Sequence, residues 1–304
     1  MDDIAVAIIK TLLYADVFNF PMTAEEIHHF LVHDSTVPYI TVLKKLQHET
    51  LQPYIEEQDG YFMLRGRKEL VAIRQQRQQA SQELWHKAIH WGRWLSRLPF
   101  VRMVAITGAL AMKNASSLDD DLDYLIITAE GRVWLARAAA IVIVRIGRLF
   151  GVEICPNYVL AQNHLAQEKQ DLFIAHEVTQ MIPVYGHALY YQIRQANEWT
   201  QSFLPNAQQV FFPVEEYRPN WLWRLGKRII EFSLSGWAGN LLERWERQRK
   251  TKRFQPKAQQ PQSSAKLDET MVKGHFEDYG HPTLRRYFER LQAYQLESSI
   301  ASGD

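Results

Sequence analysis

Apolar positions in the first fifty residues recur at helical spacing. Ile4, Ile8, Leu12 and Leu13 follow a helical period, and Thr23 stands ahead of Glu25-Glu26 as a helix cap with acids in the first turn. Ser35 or Thr36 opens a third helical stretch that runs to about Glu49. The period then drops to that of strands at Tyr54-Ile55 and at Tyr61 to Leu64, joined through the turn pair Asp59-Gly60. A long polar helix is predicted over 67–98, with Leu70, Ile73, Leu84, Ala88 and Trp91 as its apolar series and Pro99 at its end. Arg74 and Arg77 read there as part of a solvated face.

The middle of the chain changes character. Val104-Ala105-Ile106 is a buried strand that stops at Thr107-Gly108, and Asp121 to Ile127 resumes the β-branched pattern while carrying two carboxylates. A helix follows over 131–150, with Arg137, Arg145 and Arg148 within about one quadrant of its surface by the helical period, a stripe that borders a substrate cleft if it is not simply solvated. Val152 to Cys155 and Asn157 to Leu160 read as a strand or strand pair broken at Pro156. Residues 165–206 look helical. Trp221 to Phe254 is a second long helix, weakened between Ser233 and Gly239. The Pro, Gln and Ser content of residues 255–267 is that of a flexible linker, and 268–304 carries a last amphipathic helix over 282–297.

Composition adds little until charge is mapped by position. Residues 1–66 hold four Lys and Arg against ten Asp and Glu, a balance of −6, whereas residues 218–257 hold eleven against three, a balance of +8. Such asymmetry calls for separate surfaces for separate partners. The basic helix 221–254 suits an anionic surface or an acidic partner, of which the acidic region 1–66 is the nearest at hand. A single cysteine, Cys155, excludes an internal disulfide and a multi-cysteine metal site, and its apolar strand reads as packing for the thiol. No charged segment followed by an apolar one opens the chain, and the most apolar helix is interrupted by three arginines, so a soluble cytoplasmic protein is expected.

Asp121 and Asp123 carry the chemistry. Residues two apart on a strand share a face, and two like charges there are costly to bury unless a cation neutralises them. Oxygen-only ligands suit Mg²⁺, and a glycine turn ahead of the pair supplies backbone N–H groups for phosphates. The same aspartates fit the first, third and fifth positions of an EF-hand, with Asp119 first and Glu130 twelfth, but Tyr124 stands where that loop needs glycine. His176-Glu177-Val178-Thr179-Gln180 imitates a zinc-protease helix, yet lacks the second histidine.

At Ile106-Thr107-Gly108-Ala109 and Asp121-Leu122-Asp123-Tyr124 the chain resembles the DNA polymerase β-type nucleotidyltransferase superfamily. The resemblance implies an α+β fold with a small mixed sheet as nucleotidyltransferase core over 99–165, entered through a linker helix at 67–98 and followed by a helical region at 166–254. It implies Mg²⁺ on Asp121 and Asp123, an NTP whose phosphates meet the amides of Gly108 and Ala109, and a third carboxylate, for which Glu153 is the matching position. Ala109 departs from the serine or glycine usual there. Residues 1–66 resemble in pattern a winged-helix module, whose usual DNA binding the −6 balance opposes. The function expected is Mg-dependent transfer of a nucleoside monophosphate from an NTP to an acceptor. The alternative is a non-catalytic nucleotide-sensing or scaffolding regulator with a protein- or DNA-binding N-terminal module.

Overall fold

A computed structural model describes residues 1–258, 266–273 and 278–296. The first segment contains α1 (Asp3–Asp16), α2 (Ala24–His29), α3 (Tyr39–Leu46), a single 3-10 turn and the antiparallel hairpin β1 (Ile55–Gln58) and β2 (Tyr61–Leu64). Caps define the early helices. Asp2 accepts from the Ala5 amide, and Thr23 and Glu26 cap each other's backbone amides reciprocally at 3.2 and 2.9 Å. Asp59 and Gly60 both adopt positive φ, as a two-residue hairpin turn demands. The third helix starts later than Ser35 or Thr36, because Pro38 occupies its N-cap and the Val37 amide is committed to Asn206 Oδ1 (3.0 Å).

The expected linker helix is α4 (Glu69–Ser96), and it is no linker. Its buried Leu84, Ala88, Trp91 and Leu95 lie in one cluster with the apolar face of the main sheet. Arg74 is likewise not solvated: it is 3 % exposed, donates to Glu26 Oε1 at 2.6 Å and covers the Phe20 ring at 3.8 Å. Arg77 reaches the Phe18 carbonyl and Asn114. A long stem lets arginine leave water only where a carboxylate and an aromatic face replace it. Both arginines thereby fasten α4 to the N-terminal segment.

The main sheet is mixed and runs β6-β3-β4-β5-β8-β7, with β3 Val101–Ile106, β4 Leu122–Thr128, β5 Ile154–Ala161, β6 Ile182–Tyr185, β7 Lys266–Leu267 and β8 Met271–Lys273. Only β4 and β5 pair in parallel, joined by α6 (Val133–Leu149). Val104, Ile106, Tyr124 and Ile126 face α4 and α6, while Met103, Ala105, Leu125 and Ile127 face α7 (Leu172–Gln180) and α8 (His187–Ala196). The sheet thus has two buried faces, one behind it and one toward the N-terminal segment. A molecule of mixed α+β class results.

Four sequence expectations change here. Residues 165–206 are not wholly helical: β6 sits between α7 and α8 and pairs with β3, a strand too short and too proline-marked to show a period. The strand around Pro156 is unbroken: β5 carries a bulge between Cys155 and Tyr158, where proline's missing N–H costs no ladder bond. The basic segment breaks into α9 (Trp221–Ser233) and α10 (Trp237–Ala258), and among the described residues no ion pair joins the cations of either helix to the acids of the N-terminal segment. Instead Glu231 pairs with Arg102 at the start of β3, and Glu243 caps α6 by accepting from the amides of Trp134 and Leu135. The linker assigned to 255–267 is in part the end of α10 and in part β7; residues 259–265 lie outside the described residues, as do 274–277 and 297–304. The C-terminal helix is α11 (Gly280–Ala293).

One apolar cluster joins the N-terminal segment to the rest. Ile8, Leu12, Ile27 and Phe30 are packed with Leu172, Ala175, Leu204, Tyr287 and Leu291. Asp16, 5 % exposed, receives Arg67 at 3.0 Å and Arg290 at 2.9 Å. Among the described residues no helix is long and apolar enough to cross a membrane.

Candidate functional site

The turn after β3 is shaped by one glycine. Thr107 donates its amide to the Asp123 carbonyl (3.0 Å), and Gly108 then turns with φ of +67° into the single-turn helix α5 (Gly108–Ala111). A Cβ on residue 108 would lie 2.3 Å from Asp123 Oδ2, so any side chain there would displace the carboxylate. The amides of Gly108 and Ala109 belong to the first turn of α5, where N–H groups have no acceptor inside the helix.

Asp121 and Asp123 do share a face, and the bulge in β5 completes the group. Cys155 is the register partner of Asp123, and a ligand atom from each of Asp121, Asp123 and Cys155 lies within 4.8 Å of the others. These three make a set able to hold a metal ion. The bulge turns Asn157 to the same face as Cys155, where its amide donates to Asp123 Oδ1 and its oxygen accepts from the Cys155 thiol at 2.6 Å. Burial, reinforced by the charges of Asp121 and Glu177 and opposed by the Asn157 amide, pushes the Asp123 carboxyl up to about 8. Burial and the neighbouring Asp123 and Asp121 charges push the Cys155 thiol up to about 12. The pair is therefore short of positive charge.

Glu153 does not join them. It precedes β5 and is held by Arg148 at the end of α6, with Nε to Oε2 at 3.0 Å. The sequence places a carboxylate near the right strand, but the i,i+5 guanidinium takes it first. Nor does the arginine stripe of α6 border a cleft: Arg148 is used by Glu153, and Arg137 is covered by the Phe254 ring at 5.5 Å.

These groups form the floor of a cavity of about 760 Å³. Its walls are drawn from distant parts of the chain: Tyr14, Phe18 and Phe20 from the N-terminal segment, Tyr158 from β5, Glu177 from α7 and Lys273 from β8. Glu177 is solvent-accessible where it opens onto the cavity, and the protein crowded around it raises its carboxyl against the pull of Lys273. Burial lowers Lys273, with Lys169 adding to the effect and Asp278 and Glu177 opposing it. His176, beside Glu177, is no ligand. Its ring stacks on Tyr14 at 4.1 Å, and burial lowers it to about 3.

Cys155, Asn157, Glu177 and Lys273 escape sequence reasoning as site residues. Cys155 lies two residues beyond Glu153, the carboxylate position that the sequence offers, but its pairing with Asp123 depends on a register that no local pattern encodes. Comparison of the chain with protein-family models, curated proteins and solved structures returns no match.

Proposed function

We propose that the cavity binds a nucleoside triphosphate as its Mg²⁺ complex and that the protein transfers the nucleoside monophosphate to an acceptor hydroxyl or phosphate. The fold would be that of a polymerase β-type nucleotidyltransferase core preceded by a winged-helix module. The observation that carries this reading is the convergence of Asp121 and Asp123 beneath the Gly108 turn, with the pair short of countercharge. Two carboxylates on one strand face fit a hard divalent ion, and the Cys155 thiol, protonated at neutral pH, does not compete for it.

Asp121 and Asp123 would hold the ion, which when bound neutralises the phosphates and the pair alike. The amides of Gly108 and Ala109 are offered to the phosphates, with no side-chain hydroxyl to assist at residue 109. Tyr14, Phe18 and Phe20 give the cavity flat apolar wall for a base. Glu177, with its carboxyl raised, is a stronger proton acceptor than an unperturbed glutamate and is the group assigned to the acceptor's proton. Titration calorimetry of each NTP with and without Mg²⁺ tests the reading. Binding should require Mg²⁺ and disappear in Asp121→Asn with Asp123→Asn, and binding unchanged in that double variant would sink the assignment.

A nucleotide sensor without turnover is the second reading. It is favoured by Cys155, which holds the register position beside Asp123 where a carboxylate would complete a transferase site. Mg²⁺-dependent binding with no release of pyrophosphate from any NTP would select it.

A further inference from the structure

The helix α9 is built inside out for a protein surface. Two of its charged side chains point inward: Lys227 Nζ donates to the carbonyls of Ser96 (3.0 Å) and Val101 (2.5 Å), and Glu231 takes Arg102 and the Phe100 amide. Leu222, Leu225, Ile229 and Phe232 occupy the opposite side, and Phe232 is 83 % exposed. No residue of α9 is buried. The outward side of α10 repeats the pattern with Trp237, Leu241 and Trp245.

Charge on this face is sorted as well as polarity. Of the acids between 218 and 257, Glu231 is spent on Arg102, Glu243 on the start of α6 and Glu246 on Arg249, whereas Arg224, Arg228, Arg244 and Lys252 remain exposed beside the apolar stripe. A separate cleft at the foot of α9 is lined by Arg97, Arg218, Arg224 and Lys227 against one carboxylate, Glu216.

We infer that α9 and the first half of α10 lie on an anionic lipid surface. Aliphatic and tryptophan side chains would enter the headgroup boundary while the flanking cations, on their long stems, meet lipid phosphates. The basic cleft would receive a headgroup. A second copy of the chain is the poorer occupant, because an isologous contact would set the same cations against themselves. An apolar face of this size on a monomer calls for cover, and the charge sorting identifies which kind. The inference is independent of the nucleotide reading: α9 is anchored at the start of β3, the far end of that strand from the Gly108 turn.

Co-sedimentation of the full chain with vesicles at physiological salt tests it. Vesicles of equal phosphatidylcholine and phosphatidylglycerol should bind about tenfold or more tightly than phosphatidylcholine alone. Ile229→Asp with Phe232→Asp, both solvent-exposed and so expected to leave the melting temperature unchanged, should release the protein from both. Arg224→Glu with Arg228→Glu should abolish the preference for the anionic lipid. Failure to bind the mixed vesicles, or binding that survives both pairs of substitutions, overturns the inference. A lipid-free dimer in light scattering that Ile229→Asp with Phe232→Asp dissociates would overturn it in favour of self-association.

Discussion

The carboxyl of Asp123 governs how the metal-free protein should respond to pH. Its value in the fold, about 8, lies above that of an unfolded aspartate, so the native state holds a proton that the unfolded chain has lost. Stability from this group is complete below the unfolded value near 4 and is lost as pH rises through about 8. The slope reaches about 1.4 kcal/mol per pH unit at most. Asp123→Asn should flatten that decline in denaturant titrations run between acid and mildly alkaline buffer, and Mg²⁺ should stabilise the wild type most at the alkaline end. A decline that persists in the variant would show that another group is responsible. Ala109 is the other informative residue. Ala109→Ser restores a hydroxyl where the resembled superfamily has one, and one hydrogen bond to a charged group is worth about 1.5–3 kcal/mol. Calorimetry should record NTP binding about tenfold or more tighter, and a flat or weaker affinity would mean that the turn does not meet phosphate.

At the scale of elements, legibility followed the range of the signal. The helices and hairpin of residues 1–66, β3, β4 and α6 were readable because their periods, caps and turn residues are local, and the shared face of Asp121 and Asp123 follows from strand alternation alone. The strands β6, β7 and β8 were not, since two to four residues carry no period, and their place is set by pairing with distant strands. The same holds for Glu177, whose neighbour His176 gives a motif-like spacing without a motif's geometry. Arg74 was misread because an arginine on a polar helix looks the same whether water or a carboxylate waits for it. Its burial with Glu26 makes a specific forecast: Arg74→Ala leaves a desolvated carboxylate and should cost about 3–5 kcal/mol in chemical denaturation. The double change Arg74→Met with Glu26→Gln should recover much of that loss. Equal instability of the single and double variants would assign the effect to packing instead of charge.

Across the whole molecule, the N-terminal segment is a wall of the cavity as well as a neighbour of the core. The seam it forms contains a half-buried imidazole, His29, and a buried one, His176, lowered by desolvation to about 4 and about 3. Both are neutral in the fold and take a proton when unfolded near neutrality, so the stability they allow is present above about 6.5 and is lost as pH falls toward their folded values. In an Asp123→Asn background, which removes the opposing carboxyl, melting temperature should drop as buffer is taken from 7 to 4.5, and adding His29→Phe with His176→Phe should reduce the drop; an unchanged profile would place acid sensitivity elsewhere. The paired arginines on Asp16 reach further still. Arg67, just ahead of α4, and Arg290, in the last described helix, both close on the end of α1, and Tyr287 and Leu291 of α11 complete the same apolar cluster as α1. During synthesis at about 5–20 residues per second, α1 therefore waits on the order of 15–60 s for the helix that seals it. For that interval the part of its surface that Tyr287 and Leu291 cover stays open, and a helix made early is among the last to be finished.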